Sequence, residues 1–130
     1  MFDFQEFFAS AKRLVEWGGE ANVRSGISRY YYSALGSVRT YLVEIMGEDE
    51  FLDGYKIHRR IYNRLIDSDD NTEVSIGEKL LDLKEIRNEA DYDWKLDLNH
   101  FNEHLDDVQV KSEIILQEVE ALKKSPPYKV

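Results

Sequence analysis

His100 and His104 stand four residues apart, the interval at which two imidazoles on one helical face can share a metal ion, with Asp97 and Asp107 near the same row. No comparable spacing supplies a third and fourth ligand, so the pair reads as the solvated flank of a helix, and neither a metal nor another cofactor is expected. His58 precedes Arg59 and Arg60. It is either a surface or helix-capping residue or one wall of a positively charged pocket. None of the three histidines follows a Glu by three residues, which removes the carboxylate-bridged di-iron bundle. A Gly-rich phosphate loop, a His-Glu-x-x-His zinc motif and a calcium loop are absent as well. The chain has no cysteine, hence no disulfide frame, thiolate metal site or cysteine nucleophile.

Arginine is the remaining carrier of chemistry. Arg24, Arg29, Arg39, Arg59, Arg60, Arg64 and Arg87 all fall in segments with helical periodicity. A guanidinium fork grips phosphate oxygens bidentately, so convergence of several would make a phosphate or RNA site. The average charge opposes this: 17 basic and 26 acidic residues leave a formal net charge of −9, which disfavours nonspecific attraction to nucleic acid or anionic membranes. Pairing with those carboxylates is the bland alternative and is expected for most of the arginines. Arg87 is the more informative one because it falls at the edge of an apolar stripe.

These side chains must be positioned by helices. From Glu20 to Met46, Val23, Ile27, Tyr30, Ala34, Val38, Tyr41 and Ile45 recur every three or four residues, and Tyr31, Leu35 and Leu42 widen that face. The spacing predicts a central helix buried on more than one side. Gly26, Ser33, Gly36 and Ser37 lower helix propensity, each Gly by about 1 kcal/mol, and imply close approach of a neighbour. Tyr30, Tyr31 and Tyr32 project about 100° apart, so at least one of them faces a cleft or a partner. A first helix is expected from Asp3, with Asp3 and Glu6 as a capping box and Phe4, Phe8, Ala11 and Val15 inward, ending at Gly18-Gly19. A third should run from about Tyr55 to Ile66, and a fourth should start at Ser75 with Glu78 completing a capping box, presenting Leu80, Leu83, Ile86 or Arg87, and Ala90. The stretch from Asp91 reads as an irregular connection. Asn99 is expected to cap a last helix that stops before Pro126-Pro127. The prediction is an all-α, up-and-down bundle of five helices with a four-helix core, one domain over residues 1–124 with a tail at 125–130. No stretch reaches the roughly 18 apolar residues of a membrane span, and no leader is visible, so a soluble, cytoplasmic protein is expected.

The text Ile27-Ser28-Arg29-Tyr30-Tyr31-Tyr32-Ser33-Ala34, followed by Leu83-Lys84-Glu85-Ile86-Arg87-Asn88-Glu89-Ala90-Asp91-Tyr92-Asp93, resembles the HEPN superfamily (higher eukaryotes and prokaryotes nucleotide-binding), in its small prokaryotic subgroup with SRxYY and RxxADY motifs. Lys56-Ile57-His58 looks like the short His-containing turn between them. The resemblance implies a helical bundle that dimerises and acts in toxin–antitoxin, stress or defence systems. Members of that superfamily are metal-independent ribonucleases, nucleotide-binding proteins, or partners of a nucleotidyltransferase or antitoxin. It implies a site in which Arg87, Asp91 and Tyr92 hold the catalytic positions and Arg29, Tyr32, His58 and Asn88 bind ligand.

In active members an Arg is followed, after four to six residues, by a His. Here those positions hold Tyr92, Asp93 and Trp94. Cleaving RNA through its 2′-hydroxyl needs proton transfer near neutrality, whereas an ordinary phenol titrates near ~10 and a carboxylate near ~4. The expectation is an RNA- or nucleotide-binding site with a degenerate ribonuclease motif. The alternatives are a noncatalytic module of a nucleotidyltransferase pair and a ribonuclease toxin. Arg87 paired with Asp91 at i,i+4, merely locking the end of its helix, is the bland reading. Arg29 and Arg87 are expected to share one cleft.

Overall fold

The computed structural model describes residues 2–127, which form five α-helices: α1 Gln5–Trp17, α2 Glu20–Thr40, α3 Ile57–Ile66, α4 Asn71–Tyr92 and α5 Leu98–Lys124. The architecture is the expected helical bundle. α2 is its centre, packed against α1, α4 and α5, while α3 lies on α4. A π-turn, Tyr41–Ile45, carries α2 on to Met46, the end anticipated from its periodicity. Residues 128–130 of the expected tail lie outside the described residues.

The core follows the periodic pattern. Ile27, Tyr31, Ala34, Val38, Tyr41 and Leu42 on α2 and its π-turn are fully enclosed, and Leu80 and Leu83 of α4 and Phe101, Val108 and Ile115 of α5 close around them. The small residues explain how α2 packs so tightly. A Cβ on Gly26 would stand 3.2 Å from the Ala11 carbonyl of α1, and one on Gly36 would sit 2.1 Å from the Phe4 ring. Gly18 and Gly19, with φ of 75° and 87°, make the tight turn that folds α1 back on α2.

Four expected helix ends move. α1 begins at Gln5, and Asp3 accepts the Gln5 amide at 2.9 Å instead of forming a box with Glu6. The Phe4 ring fills the space beside Gly36, with Phe2 and Phe7 edge-on to it, and this packing sets how the chain enters the helix. α3 starts at Ile57, after Lys56 in a left-handed conformation with φ of 55°. α4 starts at Asn71, four residues before Ser75: Asp70 accepts the Glu73 amide at 2.9 Å, and Ser75 instead accepts from Lys79. The earlier start is selected because it turns the Glu73 side chain into the interior, where it has three partners. α5 is capped by Asp97, which accepts the His100 amide at 3.1 Å, not by Asn99. The segment after Asp91 is less irregular than expected, since α4 continues through Tyr92. Arg24 of α2 caps this end, donating to the carbonyls of Glu89 at 3.3 Å, Ala90 at 3.1 Å, Asp93 at 3.0 Å and Leu96 at 2.6 Å. Among the described residues no helix is long and apolar enough to cross a membrane.

Candidate functional site

The three consecutive tyrosines of α2 separate as a 100° step requires. Tyr30 turns toward α1 and α5, its ring edge-on to Phe8 at 5.2 Å. Burial, reinforced by Glu16 and Glu113, pushes its phenol up to about 12. Tyr31 is fully buried against α3, while Tyr32 is half-buried and meets α4. Tyr32 is the ring that faces the candidate site.

There the end of α4 presents Arg87. One Nη of its guanidinium donates to the Tyr32 hydroxyl and the other to Asn88 Oδ1 at 2.9 Å. Its carbon centre stands 5.0 Å from the Tyr32 ring, 5.3 Å from Tyr31 and 5.8 Å from Tyr92, so three aromatic faces surround one cation. Asp91 lies one turn on, with Oδ2 2.9 Å from Arg87 Nε. That contact is an ion pair but not a hydrogen bond, because the Nε–H does not point along it and is left buried without an acceptor. Ser28 of α2 donates to the same Asp91 oxygen at 3.3 Å. The helix-locking pair proposed as the bland reading therefore exists, but it leaves part of the fork unsatisfied.

His58, at the start of α3, closes the cluster from the other side. Its Nδ1 lies 3.3 Å from the Tyr31 hydroxyl, and its ring stands edge-on to Tyr32 at 5.7 Å. Arg87 and His58 thus share both Tyr31 and Tyr32 as neighbours. Partial burial, then the positive charges of Arg87, Arg39 and Lys84, hold the imidazole below its ordinary value of 6.5, so it is neutral at physiological pH.

Of the residues expected at the site, Arg87, Asp91, Tyr92, Tyr32, His58 and Asn88 come together. Arg29 does not join them. It is exposed, and its guanidinium lies over the Phe7 ring of α1 at 4.6 Å, since a 100° step from Ser28 turns it toward that helix. Other arginines are held by the fold: Arg24 caps α4, Arg39 donates to the Phe51 carbonyl at 2.7 Å, Arg60 to that of Glu50 at 2.6 Å, and Arg64 pairs with Glu48 and Glu73. His100 and His104 meet edge-on with ring centroids 4.9 Å apart, with His100 Nε2 3.3 Å from Glu89, and no cluster able to hold a metal occurs among the described residues. Ser28, Tyr31 and Lys84 belong to the site's surroundings although they were not singled out. Spacing could have found Ser28 and Lys84, because Ser28 and Tyr32 are i,i+4 on α2 and Lys84 and Arg87 are i,i+3 on α4.

A depression of about 440 Å³, lined by Asn88, Glu89, Tyr92, Asp93, Trp94 and Lys95, adjoins the cluster. A larger one, of about 1000 Å³, lies beside α3 and is rimmed by Glu48, Glu50, Asp67 and Asp69. Its arginines, Arg60 and Arg64, already have acceptors, whereas Asn88 and Tyr92 of the smaller depression touch Arg87, which makes that one the better candidate.

Comparison with known proteins finds an uncharacterized protein of Methanocaldococcus jannaschii, 29% identical over 143 aligned positions that span 98% of this chain and 80% of that protein. No family model matches the chain. No solved structure matches it either.

Proposed function

We propose that the Arg87 cluster binds the phosphate of RNA or of a nucleotide, and that the protein is a cytoplasmic, HEPN-like component of a prokaryotic stress, toxin–antitoxin or defence system. The observation that carries this reading is a guanidinium whose side chain is only 13% exposed, aimed by Tyr32 and Asn88, and still carrying an N–H without an acceptor. A phosphate satisfies such a fork bidentately, and Asp91 yields by rotating toward Ser28. Tyr92 and Trp94, 72% and 82% exposed beside it, offer faces on which a base can stack.

The test is binding of a fluorescent RNA oligonucleotide by anisotropy. Arg87→Ala is expected to weaken binding about 10- to 100-fold, the size of one lost charge-assisted fork. Arg29→Ala is expected to leave it nearly unchanged. Unaltered binding in Arg87→Ala would place the site elsewhere.

The same exposed Tyr92 and Trp94 favour a second reading, a noncatalytic surface for a nucleotidyltransferase or antitoxin partner. Homodimer formation belongs to both readings. The apolar faces of α2 are covered within one chain, so a second copy would pair through other surfaces. Light scattering at micromolar concentration should give twice the chain mass, and a monomer would count against pairing.

A further inference from the structure

Resting on the reading of Arg87 as a phosphate anchor, we infer that His58 is the group that takes the 2′-hydroxyl proton of an RNA strand bound there. Proton transfer, absent from the end of α4, is then supplied by α3.

The placement carries the argument. His58 is the one histidine that shares neighbours with Arg87: both contact Tyr31 and Tyr32, whereas His100 and His104 sit on α5 beside Glu89 and Phe101. Its orientation is fixed, because Nδ1 is held 3.3 Å from the hydroxyl of the fully buried Tyr31. With Nδ1–H donating to that hydroxyl, Nε2 keeps its lone pair. Nε2 has no hydrogen-bond partner among the described residues and is not one of the buried polar atoms left without one, so solvent reaches it at the edge of the half-buried ring. Burial first, and then the charges of Arg87 and Lys84 from α4 and of Arg39 from α2, keep the ring in the neutral, proton-accepting form.

The step balances without a metal. His58 Nε2 accepts the 2′-hydroxyl proton, and the 2′-oxygen bonds to the phosphorus whose oxygens Arg87 holds. The bond from phosphorus to the 5′-oxygen breaks, and that oxygen takes a proton from water. The imidazolium then returns its proton to the hydroxide left behind. The products are a 2′,3′-cyclic phosphate and a 5′-hydroxyl.

The experiment uses a single-stranded RNA oligonucleotide, with its all-2′-deoxy counterpart as control, in the presence of a chelator. Wild type is expected to cleave only the RNA. At saturating RNA, His58→Gln, which keeps a polar group beside Tyr31, should cleave roughly 10²- to 10⁴-fold more slowly, the range of general acid–base assistance. The wild-type rate should rise with pH and level off below 6.5, the ordinary value for a histidine. Nitrogen NMR of the free wild-type protein should find the proton on Nδ1, a readout that needs no variant to fold. Equal rates in wild type and His58→Gln, a proton on Nε2, or wild type that binds RNA without cutting it would each overturn the inference and leave the binding reading standing. Failure of wild type to bind RNA would overturn that reading and the inference with it.

Discussion

Replacing Glu73 by alanine is expected to destabilise the protein by roughly 3–5 kcal/mol, the cost of removing one partner from a buried ion pair. Glu73 is fully buried at the start of α4. It accepts from Tyr41 at 2.7 Å, from Ser68 at 2.6 Å and from Arg64 at 2.9 Å, and so ties the π-turn after α2 to α3 and α4. Alanine leaves the Tyr41 hydroxyl enclosed without this acceptor and takes from Arg64 one of its carboxylate partners. Glu73→Gln, which keeps the volume and one acceptor oxygen, for Tyr41 or for Ser68 but not for both, should cost less than alanine.

The same residue sets an acid limit. Burial alone would raise the Glu73 carboxyl, but the hydrogen bonds from Arg64, Ser68 and Tyr41 together outweigh it and hold the group below its ordinary 4.5. A depressed folded-state value means that the unfolded chain binds more protons, so this contribution is complete above pH 4.5 and is lost as the pH falls through the folded value. Urea titrations at neutral and acid pH should therefore show a gap between wild type and Glu73→Ala that closes toward low pH. A neutral-pH difference under about 1 kcal/mol, the size of an exposed pair, would mean the network contributes no more than a surface contact.

The second large effect is expected at Arg24. Its carboxyl-end capping of α4 joins the carbonyls of Glu89, Ala90, Asp93 and Leu96, and its guanidinium also lies 4.5 Å over the Phe101 ring. Arg24→Ala should cost roughly 2–4 kcal/mol, because hydrogen bonds from a charged donor count for more than neutral ones and are not additive here. Lysine should rescue little: a single ammonium cannot span four acceptors as a planar fork does. Hydrogen exchange should speed up most over residues 89–97, and because Asp91 and Tyr92 lie in that stretch, RNA binding should weaken too. Unchanged exchange there would refute the capping role.

The helices themselves were legible along the chain. The three-and-four spacing from Val23 to Ile45 marked α2 through its π-turn, and Leu80, Leu83, Ile86 and Ala90 marked the inner face of α4, because an amphipathic helix writes its burial into its own periodicity. Helix ends were less legible. Asp70 and Glu73 form the same short pattern as Ser75 and Glu78, and the choice between them depends on Tyr41, Arg64 and Ser68, which are distant in sequence or lie in another element.

The candidate site divides the same way. Local spacing placed Arg87 near the end of α4 with Asp91 four residues on, and determined that Tyr30, Tyr31 and Tyr32 must part company, but the helix runs on through Tyr92 where a connection was expected. What only the tertiary structure decided is which cations remain available and which histidine joins them. Arg24 and Arg64 are taken up by backbone carbonyls and carboxylates, Arg29 turns onto Phe7, and His58 arrives beside Arg87 only because α3 packs where Tyr31 and Tyr32 point. A helix's own face is fixed by the 3.6-residue turn, but the meeting of side chains from three helices depends on how those faces dock, which no short stretch of sequence contains.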